Sequence, residues 1–223
     1  MKLAFAVANA APADMLARVV SLLGDLPDAA RLAVSRADAS RETPAFQALV
    51  EVWGAGPAAA RAALGAELRA GWLRGFALDA AEPVPLPRPA PGAPAAGVRI
   101  LTLCRRRAGL ARAEFARIWR EEHARVALAF TVAPRGYAQD VVLESLAPPD
   151  DVDGIACLHF VSYAEFDARY REHPEEAARG LADAGRCIDL ARSESAFAIE
   201  TLYREARSGA APGAGRRAPG RTP

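Results

Sequence analysis

EPVPLPRPAPGAPAAG, residues 82–97, is the stretch on which the fold turns. Prolines at 83, 85, 87, 89, 91 and 94 each lock φ and remove a backbone donor, so neither a helix nor a central strand can run through it. It reads as an extended, semi-rigid connector between two halves. Working outward, the divisions are a first unit over 1–81, the connector over 82–96, a second unit over 97–205 and a tail over 206–223. The tail, ARSGAAPGAGRRAPGRTP, has nothing to bury and is expected to be disordered.

Both units show the same order of elements. In the first, KLAFAVA (2–8) reads as a strand, and residues 12–26 carry Met15, Leu16, Val19, Leu22 and Leu23 at helical spacing between Pro12 and Gly24. Segments 30–38 and 45–54 read as strands, 56–72 as a helix and 73–81 as a closing strand. In the second, 97–106 is a strand and 111–130 a helix. Segments 135–146 and 153–162 are strands, 163–188 is helical with a break at Pro174, and 195–204 is the last strand. The order β-α-β-β-α-β is the split βαβ, ferredoxin-like arrangement. Such a sheet carries helices on one face only, so its other apolar face needs a cover. Two copies in one chain can supply it to each other. The expected fold class is therefore α+β, with tandem ferredoxin-like units packed face to face as an intrachain pseudo-dimeric α+β barrel.

Composition narrows the function classes. The net charge of +1 argues against a nucleic-acid binder, although the tail alone carries Arg207, Arg216, Arg217 and Arg221 with no acid. No run approaches the roughly 18–20 apolar residues that span a bilayer, so no membrane partner is expected. The start, MKLAFAVANAAPADML, reads as a first strand rather than as a signal peptide. Three cysteines, 104, 157 and 187, lack metal-like spacing and read as free thiols in a reducing cytoplasm. There is no Gly-x-Gly-x-x-Gly, Walker loop, Cys-x-x-Cys or His-x-x-x-His, and no metal site is expected.

Residues 104–128, CRRRAGLARAEFARIWREEHARVAL, resemble the opening signature of EthD-domain proteins. The matching positions are Arg105 to Arg107, Gly109, Leu110, Glu114, Phe115, Trp119 and His123. RGYAQD (135–140), DGIACLHF (153–160) and CIDLARS (187–193) fit as well. The match covers about 98–204; the first half shares only the order of elements. His123-Ala124-Arg125 departs from the family's frequent His-Ala-Pro, which puts its tight helix ending in question. The resemblance implies a dimeric α+β barrel and cofactor-free chemistry, either as a dehydratase or decarboxylase of aromatic polyketides or alongside an oxygenase system. Haem, which some barrel relatives bind, is the alternative cofactor, with His123 or His159 as its ligand.

Phe115, Trp119, His123, Val126 and Phe130 share one apolar helical stripe that should face the sheet. His123 is then either a neutral imidazole placed to accept a proton or a structural histidine near a helix end. On 135–143, Tyr137, Gln139, Val141 and Leu143 share one face, and Ala138, Asp140 and Val142 the other. Alternation does not say which face meets the helices. If it is the Tyr137 face, its hydroxyl meets His123 across a pocket; otherwise Tyr137 is a core aromatic. The expected catalytic pair is His123 and Tyr137. Trp119, Phe115, Asp140 and His159 are the expected substrate-binding residues, with Asp140 able to orient a histidine and His159 equally readable as a buried structural group. The expected activity is that of a cofactor-independent oxidoreductase or lyase acting on a small apolar or aromatic carbonyl compound. The alternative is a non-catalytic binding or accessory protein. The expected partner is a small molecule in the cytoplasm, and pairing of two chains into a homodimer is compatible with this reading.

Overall fold

The structure, a computed structural model, describes residues 1–26, 28–130, 132–146 and 150–205; the tail expected over 206–223 lies outside the described residues. Eight strands form: β1 (Lys2–Val7), β2 (Arg31–Ala37), β3 (Ala48–Trp53), β4 (Leu73–Asp79), β5 (Val98–Cys104), β6 (Gly136–Ser145), β7 (Gly154–Phe160) and β8 (Glu194–Glu205). The helices of the first half are α1 (Met15–Gly24) and α2 (Pro57–Arg69). Those of the second are α3 (Arg112–Arg117) and α4 (Ala124–Ala129), joined through a π-helical turn, then α5 (Tyr163–Glu172) and α6 (Pro174–Ala184). Local chemistry sets several boundaries. Pro57 and Pro174 each occupy a first helical position, where the missing N–H costs nothing. Ser162 caps α5 by accepting the Glu165 N–H at 3.1 Å.

All pairings are antiparallel, and they close: β1-β3-β2-β8-β5-β7-β6-β4, with β4 returning to β1. Within each half the order is ferredoxin-like, β4-β1-β3-β2 and β8-β5-β7-β6. The expectation of two sheets packed face to face is therefore refined. The sheets also hydrogen-bond edge to edge, β2 with β8 and β4 with β6, so no free sheet edge remains between the halves. The connector takes part in the closure. The Tyr137 N–H donates to the Val84 carbonyl at 2.8 Å and the Gln139 N–H to the Ala81 carbonyl at 2.8 Å, so residues 81–84 extend the β4 edge along the start of β6.

Closure creates three apolar layers. The barrel interior holds Phe46, Leu49, Phe76, Leu101, Leu103 and Ile155 against small residues such as Ala4, Ala138 and Ala196. A second layer lies between the first sheet and α1 and α2, filled by Leu3, Phe5, Val19, Leu23 and Leu64 among others. The third lies outside the second sheet and is built on Phe115, Trp119, Val141 and Ile188. One end of the interior is charged rather than apolar. Lys2 Nζ lies 2.5 Å from Glu51 and 2.6 Å from Asp140, and Arg99 lies 2.5 Å from Glu200. Among the described residues no helix is long and apolar enough to cross a membrane.

Candidate active site

The third layer is not completely filled. A cavity of about 170 Å³ lies between β5, β6 and β7 on one side and the π turn, α4 and α6 on the other. This is comparable to the roughly 150 Å³ apolar cavity that admits a benzene ring. Its floor includes Cys104, Ala156, Leu158 and Tyr137, and its roof includes Trp119, His123, Ala127, Phe130 and Ala184. The exposed Leu181 and Leu190 form its rim. Among the described residues, no Arg, Lys, Asp or Glu lines it.

The helix that carries Trp119 and His123 is not a plain α-helix. Over Ile118–His123 it widens by one residue, and the Ala124 N–H donates to the Trp119 carbonyl five residues back. The extra residue turns the following helix about its axis. Trp119 and His123 stay inward as the 4-residue spacing predicts, but Ala127, not Val126, then lines the cavity. Trp119 lies flat enough on the sheet that a Cβ on Gly154 would sit 2.3 Å from its ring. Only glycine admits that approach. Phe115 stacks behind Trp119, with centroids 5.2 Å apart, and does not reach the cavity.

His123 is held by a carboxylate. Its Nδ1 lies 2.8 Å from Asp183 Oδ2 on α6, and Asp183 Oδ1 accepts from Arg186 at 3.0 Å. Burial pushes the Asp183 carboxyl up, but the hydrogen bonds from His123 and Arg186 outweigh it and leave the group below its ordinary range. An ionised carboxylate on Nδ1 keeps the proton there and leaves Nε2 as the basic nitrogen on the cavity side. The same arrangement stabilises the imidazolium that proton uptake would form.

Tyr137 faces the helices, which settles the alternation left open by the sequence. Burial raises its ionisation well above the usual tyrosine range, so it remains a hydroxyl at neutral pH. Gln139, on the same face, donates through Nε2 to the Tyr137 hydroxyl at 2.8 Å and to the Trp119 carbonyl at 2.9 Å. Cys104 is a neutral thiol, pushed up to about 12 by burial, and is no nucleophile.

Asp140 and His159 lie elsewhere. Both point to the opposite face of the second sheet, toward the charged end of the barrel interior, because β6 and β7 alternate their side chains. Asp140 pairs with Lys2, and burial pushes its carboxyl up to about 6. His159 packs on Gly97 and Gly136; burial and the Arg99 charge lower its proton affinity. The carboxylate that orients a histidine is Asp183, not Asp140. Sequence reasoning missed Asp183 and gave Gln139 no role. Asp183 sits in an acid-rich helix 60 residues from its partner, and nothing in its neighbours marks it. Gln139 carried one signal, its place two residues from Tyr137 on the same strand face.

The geometry also tests haem. A carboxylate on Nδ1 leaves Nε2 free and is compatible with ligation, but the cavity at His123, about 170 Å³, falls short of the roughly 300 Å³ at which sites for drug-sized ligands begin. The buried ring of His159 lies against Gly97, where an added Cβ would sit 2.6 Å from it. The residues present do not fit a porphyrin at either histidine.

No family model and no curated protein matches the chain. Among solved structures it is similar to an anthrone oxidase-like protein, 12% identical over 92% of each chain with a TM-score of 0.65. It is also similar to a candidate monooxygenase of Fusobacterium nucleatum subsp. nucleatum, 7% identical over 92% of this chain and 93% of that one, with a TM-score of 0.52. At such identities the likeness is one of fold, an α+β barrel closed by eight antiparallel strands.

Proposed function

We propose that the chain is an EthD-like enzyme that works without a cofactor, removing a proton next to the carbonyl of a small, apolar or aromatic ketone. One observation carries this reading. A histidine with its Nδ1 on a carboxylate and a tyrosine hydroxyl line the same apolar, ring-sized cavity. His123 Nε2 takes the proton from the carbon beside the carbonyl. The C–H electron pair forms a carbon–carbon double bond as the carbonyl π pair moves onto oxygen, where the Tyr137 hydroxyl donates to it, and Asp183 stabilises the imidazolium. Trp119 walls the cavity. The resulting enolate either reacts with dioxygen as the oxidant or expels a leaving group from the neighbouring carbon. The first course is an oxidoreductase reaction, the second a lyase reaction. The names of the two structural neighbours, an anthrone oxidase-like protein and a candidate monooxygenase, favour oxidation. Anthrone itself is an aromatic ketone with an acidic methylene. On this reading the partner is a small molecule met in the cytoplasm.

The test follows the shared step rather than either outcome. Aryl ketones incubated with the protein in deuterated water should exchange hydrogen for deuterium at the carbon beside the carbonyl, read by proton NMR. His123→Ala should reduce that exchange to the buffer rate while leaving the melting temperature within a few degrees. A wild-type protein that binds ketones but exchanges nothing is a binding or accessory protein, and the enzymatic reading falls.

A further inference from the structure

A second tyrosine lines the cavity, and the proposed chemistry leaves it unused. Tyr170 is half-buried near the end of α5. Its ring is clamped by aromatic neighbours, with centroids 4.3 Å from Phe166 and 6.5 Å from Phe160. Phe166 is in turn fixed edge-on against Phe160 and Phe197, at 5.2 and 5.4 Å. Burial raises the ionisation of Tyr170, so the group is a neutral hydroxyl. Tyr163, two turns earlier on the same helix and in the same aromatic cluster, donates to Asp38 at 2.7 Å. The Tyr170 hydroxyl has no hydrogen-bond partner among the described residues, and unlike the sealed indole nitrogen of Trp119 it remains accessible. Phenylalanine would pack on Phe160 and Phe166 as well, so packing does not account for the hydroxyl.

We propose that Tyr170 is a specificity-determining residue, whose hydroxyl takes a second polar oxygen of the bound ketone on the side of the ring away from the carbonyl. The inference rests on the cavity being the substrate site, as proposed above, and narrows the ligand to ring ketones that carry a distal hydroxyl.

The placement follows from the strands. Trp119 packs on Gly154 and Tyr170 on Phe160, six residues further along β7, or about 20 Å of strand. Ala156 and Leu158 lie between them and form the cavity floor. The Tyr137 hydroxyl belongs to the Trp119 end, because it meets Gln139, which pairs with Ala156. Tyr170 belongs to the other end, with Phe130, Val132 and Pro134. The cavity is thus apolar in the middle and carries a hydroxyl toward each end.

The chemistry of the second oxygen follows from what faces it. No cationic or anionic side chain other than a protonated His123 lines the cavity among the described residues, so a carboxylate or an ammonium would lose its water without gaining a partner. A tyrosine hydroxyl donates and accepts, and a ring hydroxyl can meet it in either sense.

The probes are acetophenone and 4′-hydroxyacetophenone, titrated into wild-type protein and Tyr170→Phe by calorimetry. Wild type should bind the hydroxy ketone about fivefold more tightly than its parent, the ratio that one net hydrogen bond gives. Tyr170→Phe should bring that ratio to one or below and keep the acetophenone affinity within twofold, since the ring contacts remain. A merely structural role would instead weaken both ketones together and leave their ratio unchanged. Equal affinities in wild type, or a preference that survives in Tyr170→Phe, overturns the assignment. Binding of neither ketone overturns it together with the cavity reading. Failure of the proton-transfer reading looks different: a hydroxyl preference present in wild type and lost in the variant, with no deuterium exchange in either protein.

Discussion

Replacing Asp183 with asparagine tests the histidine's wiring with one atom changed. Asp183 accepts two donors, His123 Nδ1–H at one oxygen and Arg186 at the other. Asparagine keeps the shape but offers one oxygen and one NH2. Arg186 is permanently charged and can only donate, so it takes the oxygen and turns the NH2 toward His123. Nδ1 must then accept, the proton moves to Nε2, and the nitrogen facing the cavity ceases to be a base. Losing a hydrogen bond to the charged imidazolium costs about 1.5–3 kcal/mol, or roughly 10- to 150-fold in rate. The wrong tautomer carries the loss toward about ten-thousandfold, the scale known for the equivalent change in serine-protease triads. The assay is the deuterium exchange rate of a bound aryl ketone at saturation. A second change sharpens it. Arg186→Met in the Asp183→Asn background removes the competitor for the asparagine oxygen and should recover about tenfold or more. An Asp183→Asn rate within threefold of wild type would refute the reasoning, as would a double variant no faster than the single one.

Three further outcomes follow from the same structure. Gly154→Ala drives a methyl to within 2.3 Å of the Trp119 ring and should destabilise the fold by about 1–3 kcal/mol, seen in urea titrations, while weakening acetophenone binding. Asp140 has a folded-state pKa of about 6 against an ordinary 3.8, so the native state holds its proton more tightly than the unfolded chain does. The stability this group supplies is present below about pH 4 and lost as pH rises through 6. The stability of wild type relative to Asp140→Asn should therefore fall by about 2.4 kcal/mol between pH 4 and pH 7, and a difference constant with pH would contradict it. Cys104 and Cys157 are buried and pushed up to about 12, so Ellman's reagent at pH 8 should label neither until the protein is unfolded.

The fold was legible because each of its determinants is local. Six prolines mark the connector, Pro57 and Pro174 start helices, and strand alternation repeats in the same order on both sides. Edge closure was not, since alternation shows which residues share a face and is silent on which edges meet. The π turn escaped for a related reason. A helix with one inserted residue keeps Phe115, Trp119 and His123 in line and departs from 3.6 periodicity only beyond them, at Ala127. His123 and Trp119 line the cavity together with Tyr137, whose side of the sheet the alternation had left open. Asp140 and His159 fell on the other face, because β6 and β7 are buried on both sides and hydrophobicity does not distinguish interior from helix side. Asp183 required contact between helices 60 residues apart, which no short-range pattern encodes.

On the proposed reading, the cavity under α4 and α6 seats a ring ketone between His123 and Tyr137. A crystal structure of the protein grown with acetophenone tests it most directly. The expected structure has the phenyl ring inside the cavity, the carbonyl oxygen within hydrogen-bonding distance of the Tyr137 hydroxyl, and the methyl carbon turned toward His123 Nε2. Ketone density outside the cavity, or a ring seated with its oxygen toward Leu181 and Leu190, would contradict it.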